Sequence, residues 1–243
     1  MNAETNLSGH NKKLTMTTEQ SPKVFRLGES AVVIDCTNFF PEVSRLTIQR
    51  KIWWLAERCR QTDDFIDIVP GMNNLTLFMK STNRINYWLA QLGDFWLQAK
   101  QMNLSGRNVE IPIVYGGEFG PDLEQVARYH QLSCEEVIRR HSSGSYTVLF
   151  LGFQPGFPYL DGLDSNLFTP RLSVPRISIP AGSVGIGGNQ TGIYPASAPG
   201  GWQLIGRTNM PLFTPQSPGS PTLVTPGDTV QFIPVASLEF DAE

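Results

Sequence analysis

Two arginines that each follow a proline are the residues of this chain best suited to bind an anion. Arg171 follows Pro170, and Arg176 follows Pro175. Proline fixes its own φ and so restricts the backbone beside each guanidinium, which binds carboxylate or phosphate through two parallel hydrogen bonds. Isolated arginines are commonly solvated or held in surface ion pairs, but this pattern predicts an anion-binding role for at least one of the two.

The segment 152–160 reads GFQPGFPYL and predicts a stiff loop whose aromatic rings are available for stacking or for cation–π contact. Gln154 is placed to hydrogen-bond a planar amide, and Phe157 to pack against a ligand. Two interpretations stay open at this point. The loop either forms a pocket wall or packs as a closure at one end of a β-barrel.

A glycine-dense segment, 180–188, reads PAGSVGIGG and contains Gly182, Ser183 and Gly185. Glycine lets a backbone approach a ligand closely or turn sharply at a barrel corner. The segment lacks the Gly-Lys-Ser/Thr ending of a P-loop, and no lysine follows Lys100. Any bound nucleotide would therefore be held by arginines and backbone amides, or by a partner chain.

Two further features have both a chemical and a structural interpretation. His141 ends a predicted helix and is either a general base or a helix-end residue, and no G-x-S-x-G elbow supports a serine nucleophile. The segment 116–122, GGEFGPD, predicts a tight strand-to-helix turn. Anion binding at the helix start, or metal binding by Glu118 and Asp122, are the alternatives for that segment.

The elements that must position these residues fall into two groups. Residues 22–107 predict the order β-β-α-β-β-α, an α+β domain with one sheet and helices on one face. Residues 108–238 open with a strand at 108–115, where Pro112 predicts an edge or bulge position. Two helices and a buried strand follow, and then short strands with tight turns, which predict a closed β-barrel or a sandwich. Residues 1–21 are expected to be a disordered extension, and residues 239–243 a C-terminal tail.

Composition narrows the classes of function. The 243 residues are 40% hydrophobic and 17% charged, with a formal net charge of −3, so a basic surface for nucleic acid or anionic membrane is not expected. No run of 18 apolar residues occurs, and the first 20 residues lack the apolar centre of a signal peptide. Three cysteines without a C-x-x-C pair argue against a disulfide framework or a cysteine-rich zinc site, and they fit a cytoplasmic location. No metal site is predicted.

The chain as a whole resembles the family of 5-oxoprolinase B subunits, also called KipI-like or allophanate hydrolase subunit 1 domains. The matching motifs run in order from about residue 23 to residue 234 and include PGMNN at 70–74, the loop 152–160, GIYP at 192–195, IGRT at 205–208 and PGD at 226–228. The resemblance implies a cyclophilin-like barrel after the α+β domain. It also implies a cytoplasmic complex with the C and A subunits of that enzyme, which cleaves 5-oxo-L-proline to L-glutamate using ATP together with Mg²⁺.

Onto the matched motifs the resemblance carries a set of expected roles. His141 would handle a proton or orient a neighbour, and Gln154 would contact substrate amide or nucleotide. Phosphate or carboxylate would be neutralised by Arg171, Arg176 and Arg207. Backbone contacts would come from Gly182, Ser183 and Gly185. Leu172 stands where many members of the family carry a second basic residue, so the arginine cluster here is expected to be smaller. Pro158 replaces a commoner small residue and is expected to stiffen the loop.

Three other functions within the same superfamily remain as alternatives. The chain would be half of a biotin-dependent urea- or allophanate-type carboxyltransferase module, a KipI-type inhibitor of a histidine kinase, or a scaffold whose catalytic residues lie in the C subunit. The chain contains no biotin-carrier segment, which counts against the first of these.

Overall fold

Alternating apolar residues in four short strands produce a sheet with one face turned towards helices. In the computed structural model, which describes residues 21–240, the strands are Lys23–Leu27 (β1), Ala31–Asp35 (β2), Phe65–Gly71 (β3) and Asn74–Met79 (β4), in the order β1-β2-β4-β3. The two helices are Arg45–Arg60 (α1) and Ile85–Gln98 (α2). Val32, Ile34, Leu75 and Leu77 form one buried core with these helices.

Local signals explain where α1 starts. The Ser44 hydroxyl accepts a hydrogen bond from the Thr47 backbone N–H at 3.2 Å, which caps the helix, so the helix begins at Arg45. The opposite face of the sheet carries Phe25 and Phe78, which are 43% and 38% exposed, because no helix in the described part of the chain covers that face. The predicted disordered extension at 1–21 lies outside the described residues except for Ser21.

The second half of the chain closes into a seven-stranded barrel, which confirms the barrel interpretation over the sandwich. The barrel strands are Asn108–Tyr115 (β5), Tyr146–Leu151 (β6), Pro158–Asp161 (β7), Ser183–Gly187 (β9), Gln190–Ile193 (β10), Gln203–Arg207 (β12) and Thr229–Pro234 (β13). Their order is β10-β7-β6-β13-β5-β12-β9, and β9 pairs with β10 to close the ring. A two-stranded ribbon of Arg176–Ile179 (β8) and Ala198–Gly200 (β11) lies outside the ring.

Two short helices, Leu123–His130 (α3) and Cys134–Ser143 (α4), pack on the barrel. The Ser133 hydroxyl caps the start of α4, because it accepts a hydrogen bond from the Glu136 N–H at 3.2 Å. The Glu136 carboxylate does not return to the cap; it binds Arg139 and Arg140 instead. Val126 and Val137 carry the apolar faces of the two helices into the barrel core.

Pro112 was predicted to place β5 at an edge or a bulge, and this holds only locally, because β5 as a whole is not an edge strand. Strand β5 lies inside the closed barrel, parallel to β13 on one side and antiparallel to β12 on the other. Proline is tolerated there because β12 pairs only with Val114 and Tyr115, so no partner on that side needs the missing N–H of Pro112.

The two halves meet where α1 lies against β6. The Trp53 indole donates a buried hydrogen bond of 3.0 Å to the Leu149 carbonyl. The connecting segment after α2 returns along α1, where the Met102 N–H donates to the Arg50 carbonyl at 3.1 Å. Near the C-terminus, the Phe240 ring stacks on Phe119 with centroids 4.6 Å apart, so the start of the predicted tail 239–243 packs on the fold. No helix in the described part of the chain is long and apolar enough to cross a membrane.

Candidate functional site: an aromatic pocket beside Arg171

Five aromatic rings, three from the loop 152–160 and two from later segments, line a pocket of about 100 Å³ on the second half of the molecule. The Phe157 ring lies in the middle, with its centroid 5.1 Å from Tyr159, 5.4 Å from Tyr194 and 5.5 Å from Trp202. All three neighbours meet it nearly edge to face, an arrangement that aromatic pairs favour. The remaining lining residues are Phe153, Arg171, Pro199, Gly200 and Gly201.

Small residues on the barrel strands make room for this cluster. A Cβ at Gly187 would overlap the Trp202 indole, so only glycine lets that ring lie flat against β9. A Cβ at Gly192 would stand 3.0 Å from the Phe157 ring, tighter than ordinary van der Waals contact. The glycines of this region therefore position the aromatic residues.

Arg171 supplies the positive charge of the pocket. Its guanidinium carbon lies 5.8 Å from the Trp202 ring centroid, at the outer limit for a cation–π contact. No carboxylate within the described part of the chain forms an ion pair with it. An exposed guanidinium with an aromatic wall and no internal anion can accept a carboxylate from a ligand.

The loop at 152–160 contributes two exceptional residues. Phe153 has φ of +64°, which is a costly backbone conformation for a residue with a large side chain, and Phe153 is 61% exposed. Strained backbone conformations of this kind concentrate at binding sites. The neighbouring Gln154 has its Oε1 buried without a hydrogen-bond partner among the described residues. Both interpretations of the loop hold here, since Phe157 is packed at 2% exposure while Phe153 forms an open rim.

Tyr194 adds a hydroxyl to the same pocket. Burial raises the pKa of this hydroxyl above its ordinary value, and the positive charges of Arg171 and Arg176 act against that rise. The phenol therefore stays protonated at neutral pH and can donate a hydrogen bond.

Arg176, predicted to bind an anion of the ligand, is already bound within the fold. Its Nη2 donates to Asp122 Oδ1 at 2.7 Å, and the other carboxylate oxygen, Oδ2, accepts from the Leu204 N–H at 2.6 Å. The ion pair ties the β8–β11 ribbon to the start of α3. This geometry gives Arg176 a structural role, and it also occupies the carboxylate that was a candidate metal ligand with Glu118.

His141 lies away from the pocket, fully buried between α4 and the barrel. The Tyr115 hydroxyl is 2.7 Å from Nδ1, and Nε2 is 2.9 Å from Thr191 Oγ1. The Thr191 hydroxyl donates its hydrogen to the Gly185 carbonyl, so the Thr191 oxygen accepts a hydrogen bond from the Nε2–H of His141. The other ring nitrogen, Nδ1, then carries no hydrogen and accepts from the Tyr115 hydroxyl. Burial lowers the pKa of His141 to about 3, which keeps the ring neutral.

The structure does not bring the remaining predicted residues into the aromatic pocket. Arg207 donates to the Ala181 carbonyl at 2.8 Å and lies over the Phe240 ring, at a separate groove. Gly182 has φ of +80° and exchanges backbone hydrogen bonds with Tyr194 and Thr208. Ser183 is buried within β9, and the Gly185 carbonyl is taken by Thr191. Among residues 21–240 no cluster of His, Cys, Asp or Glu is arranged to hold a metal ion.

Of the predicted set, Arg171 and Phe157 line the pocket, and Gln154 belongs to the loop that forms its wall. Tyr159, Tyr194 and Trp202 were not predicted as site residues. Tyr159 lies in the loop 152–160 that was predicted to offer aromatic rings, whereas Tyr194 and Trp202 are single aromatic residues in two other segments and gave only a weak signal.

Comparison with known proteins defines the class to which this fold belongs. The family described as "Carboxyltransferase domain, subdomain C and D" matches residues 22–224, so the chain belongs to that family. Within it, the chain belongs to the family of 5-oxoprolinase B subunits. It is 48% identical over 207 residues to the 5-oxoprolinase B subunit of Haemophilus influenzae, covering 85% of this chain and 95% of the relative. The protein of the same description from Bacillus subtilis is 41% identical over 238 residues, covering 90% and 95% respectively.

More distant relatives share part of the chain. "Urea amidolyase" of Lachancea kluyveri is 34% identical over 128 residues, which are 49% of this chain and 7% of that protein. Among solved structures, TTHA0988 superposes with a TM-score of 0.72 at 33% identity, covering 88% of this chain. This chain spans only 41% of TTHA0988.

Proposed function

We propose that this chain is the B subunit of an ATP-dependent 5-oxoprolinase, an enzyme in which it works with the C and A subunits to hydrolyse 5-oxo-L-proline to L-glutamate. The observation that carries the proposal is the identity of 41–48% to relatives described as 5-oxoprolinase B subunits, over 95% of their length. The aromatic pocket beside Arg171 supports it, because an apolar slot with one cation suits a small ring that bears one carboxylate.

The size of the pocket favours the lactam over the nucleotide. Its volume of about 100 Å³ is well below the roughly 300 Å³ at which pockets for drug-sized ligands begin. A five-membered ring with one carboxylate matches that space, whereas a nucleoside triphosphate does not. In the proposed complex, ATP would therefore bind outside this pocket.

The chemistry explains why ATP is consumed. The carbonyl carbon of an unstrained lactam is a poor electrophile, and phosphorylation of the carbonyl oxygen makes that carbon more reactive. Water then adds to the carbon and the C–N bond breaks, which leaves a free amine and an acyl phosphate. Hydrolysis of the acyl phosphate releases glutamate and phosphate. We assign this activation to the B and C subunits together and the ring opening to the A subunit. In this chain Arg171 would hold the substrate carboxylate, the rings of Phe157 and Trp202 would hold the lactam, and the Tyr194 hydroxyl would donate to its carbonyl oxygen.

A substrate panel tests the proposal. The three purified proteins of the proposed complex are combined with ATP and either 5-oxo-L-proline, urea or allophanate, and phosphate release is measured. Phosphate release that depends on 5-oxo-L-proline, with glutamate formed in equal amount, is the expected result. Turnover of another amide with none of 5-oxo-L-proline would refute the substrate assignment.

A second candidate function comes from the partial similarity to urea amidolyase and from the family description. It would make the chain part of a carboxyltransferase module that acts on a urea-type amide. The urea arm of the panel, repeated with carboxybiotin in place of ATP and with formation of allophanate as the measurement, decides between the two functions.

A further inference from the structure

A cleft of about 300 Å³ lies between the two halves of the molecule and shares no lining residue with the aromatic pocket. It is lined by Leu46, Arg50 and Trp53 from α1, by the connecting segment, and by barrel residues that include Thr147 and Thr229. Strands β6 and β13 place these two threonines side by side in register. The cleft therefore combines one cation from the first half with two hydroxyls from the second.

Arg50 is half-buried, and within residues 21–240 its guanidinium has no hydrogen bond and no ion pair. This distinguishes it from Arg58 and Arg60 on the same helix, which bind Gln61 and Glu57. A half-buried guanidinium without a counterion is unfavourable, because desolvation is then not offset by a partner. The hydrogen-bond donors of Arg50 are thus available to an anion.

The polar groups around Arg50 are also without internal partners. The side chains of Asn103, Thr147 and Thr229 make no hydrogen bond to other described residues. No Asp or Glu in the described part of the chain lines the cleft. Asp228 lies between two lining residues, but Arg107 neutralises it through an ion pair of 2.6 Å.

We propose that this cleft is a binding site for a phosphoryl group, held by Arg50 with the hydroxyls of Thr147 and Thr229. A guanidinium, two hydroxyls and an amide together supply the several donors that a phosphoryl group accepts. The hydrogen bond between Trp53 and the Leu149 carbonyl holds the two walls at a fixed distance. The site belongs to this chain alone, so it goes beyond the proposed role in the complex and does not depend on it.

Titration calorimetry on the purified chain tests the site, with inorganic phosphate, pyrophosphate and ATP as separate ligands and no 5-oxoproline present. Saturable binding of at least one of them is expected, and Arg50→Gln is expected to weaken it about tenfold or more, as loss of a charge-assisted hydrogen bond implies. Thr147→Val combined with Thr229→Val should weaken it several-fold. Arg58→Gln, on the same helix, is the matched control and should bind like the wild type.

The two sources of a phosphoryl group give different orders of affinity. Tighter binding of ATP than of pyrophosphate would identify a nucleotide, and the reverse order would identify a free phosphate or diphosphate. Equal losses in Arg50→Gln and Arg58→Gln would overturn the proposal, since binding would then follow net charge only. Absence of saturation up to about 10 mM would overturn it as well. Circular dichroism of each variant verifies that the loss does not come from unfolding.

Discussion

The neutral, buried ring of His141 makes the stability of this protein depend on pH in a defined direction. The pKa of His141 falls from an ordinary value of 6.5 to about 3 because the ring is fully buried. Between these values the unfolded chain binds a proton that the folded chain does not. Stability conferred by the neutral ring is therefore present above pH 6.5 and is lost as the pH falls towards 3.

The size of the effect follows from these two pKa values. A pH of 5 lies about 1.5 units below the pKa of this histidine in the unfolded chain, so protonation of the unfolded chain lowers the free energy of unfolding by about 2 kcal/mol. At pH 7 the same effect is only about 0.2 kcal/mol. Replacement of His141 by glutamine removes the titrating group. The free energy of unfolding of the wild type should therefore fall by about 2 kcal/mol more than that of His141→Gln between pH 7 and pH 5.

Urea denaturation at 25 °C and at a series of pH values measures how the free energy of unfolding depends on pH in the wild type and in His141→Gln. Carboxylates and His130 titrate in both proteins, so their contributions cancel in the comparison. Equal slopes would refute the reasoning, because the ring would then titrate as it does in water. If His141→Gln does not fold, nitrogen NMR of the wild-type ring gives the same test: the neutral Nε2–H form should persist to about pH 4.

Three other predictions concern the aromatic pocket and its support. Arg171→Gln should lower 5-oxoproline-dependent phosphate release by the assembled complex about tenfold or more and leave the melting temperature of the chain unchanged, because this exposed guanidinium has no anion among the described residues. Replacement of another exposed arginine, Arg139→Gln, is the control. Unimpaired phosphate release with Arg171→Gln would remove Arg171 from the site. Arg176→Ala should instead destabilise the chain by roughly 2 kcal/mol in urea denaturation, since it leaves the buried Asp122 carboxylate without its cation; unchanged stability would contradict the structural role. Gly187→Ala should cost about 1–3 kcal/mol and change the near-ultraviolet dichroism of Trp202, because the new methyl group takes the place of the indole; an unaltered spectrum would argue against this packing.

The sequence predicted the parts of the fold that local signals determine. The strand predicted at 108–115 is observed as β5 with the same ends. The local sequence around Pro112 did not show that β5 has neighbours on both sides, because the closure of the barrel depends on pairing with residues about 90 and 120 positions later.

The candidate site was predictable only where one residue carried the signal by itself. Arg171 and Phe157 stood in unusual local sequences and do line the pocket. Arg176 stood in an equally unusual sequence, yet its partner Asp122 lies 54 residues away, and no local pattern indicates that pair. The clustering of Tyr159, Tyr194 and Trp202 likewise follows from the barrel and not from spacing along the chain.

The requirement for this chain in the assembled enzyme tests the proposed function most directly. Glutamate formed from 5-oxo-L-proline and ATP is measured for the complete set of three proteins, for the set without this chain, and for this chain alone. We predict glutamate only from the complete set, in an amount equal to the phosphate released. Undiminished glutamate formation in the set without this chain would contradict its assignment as a working part of the enzyme.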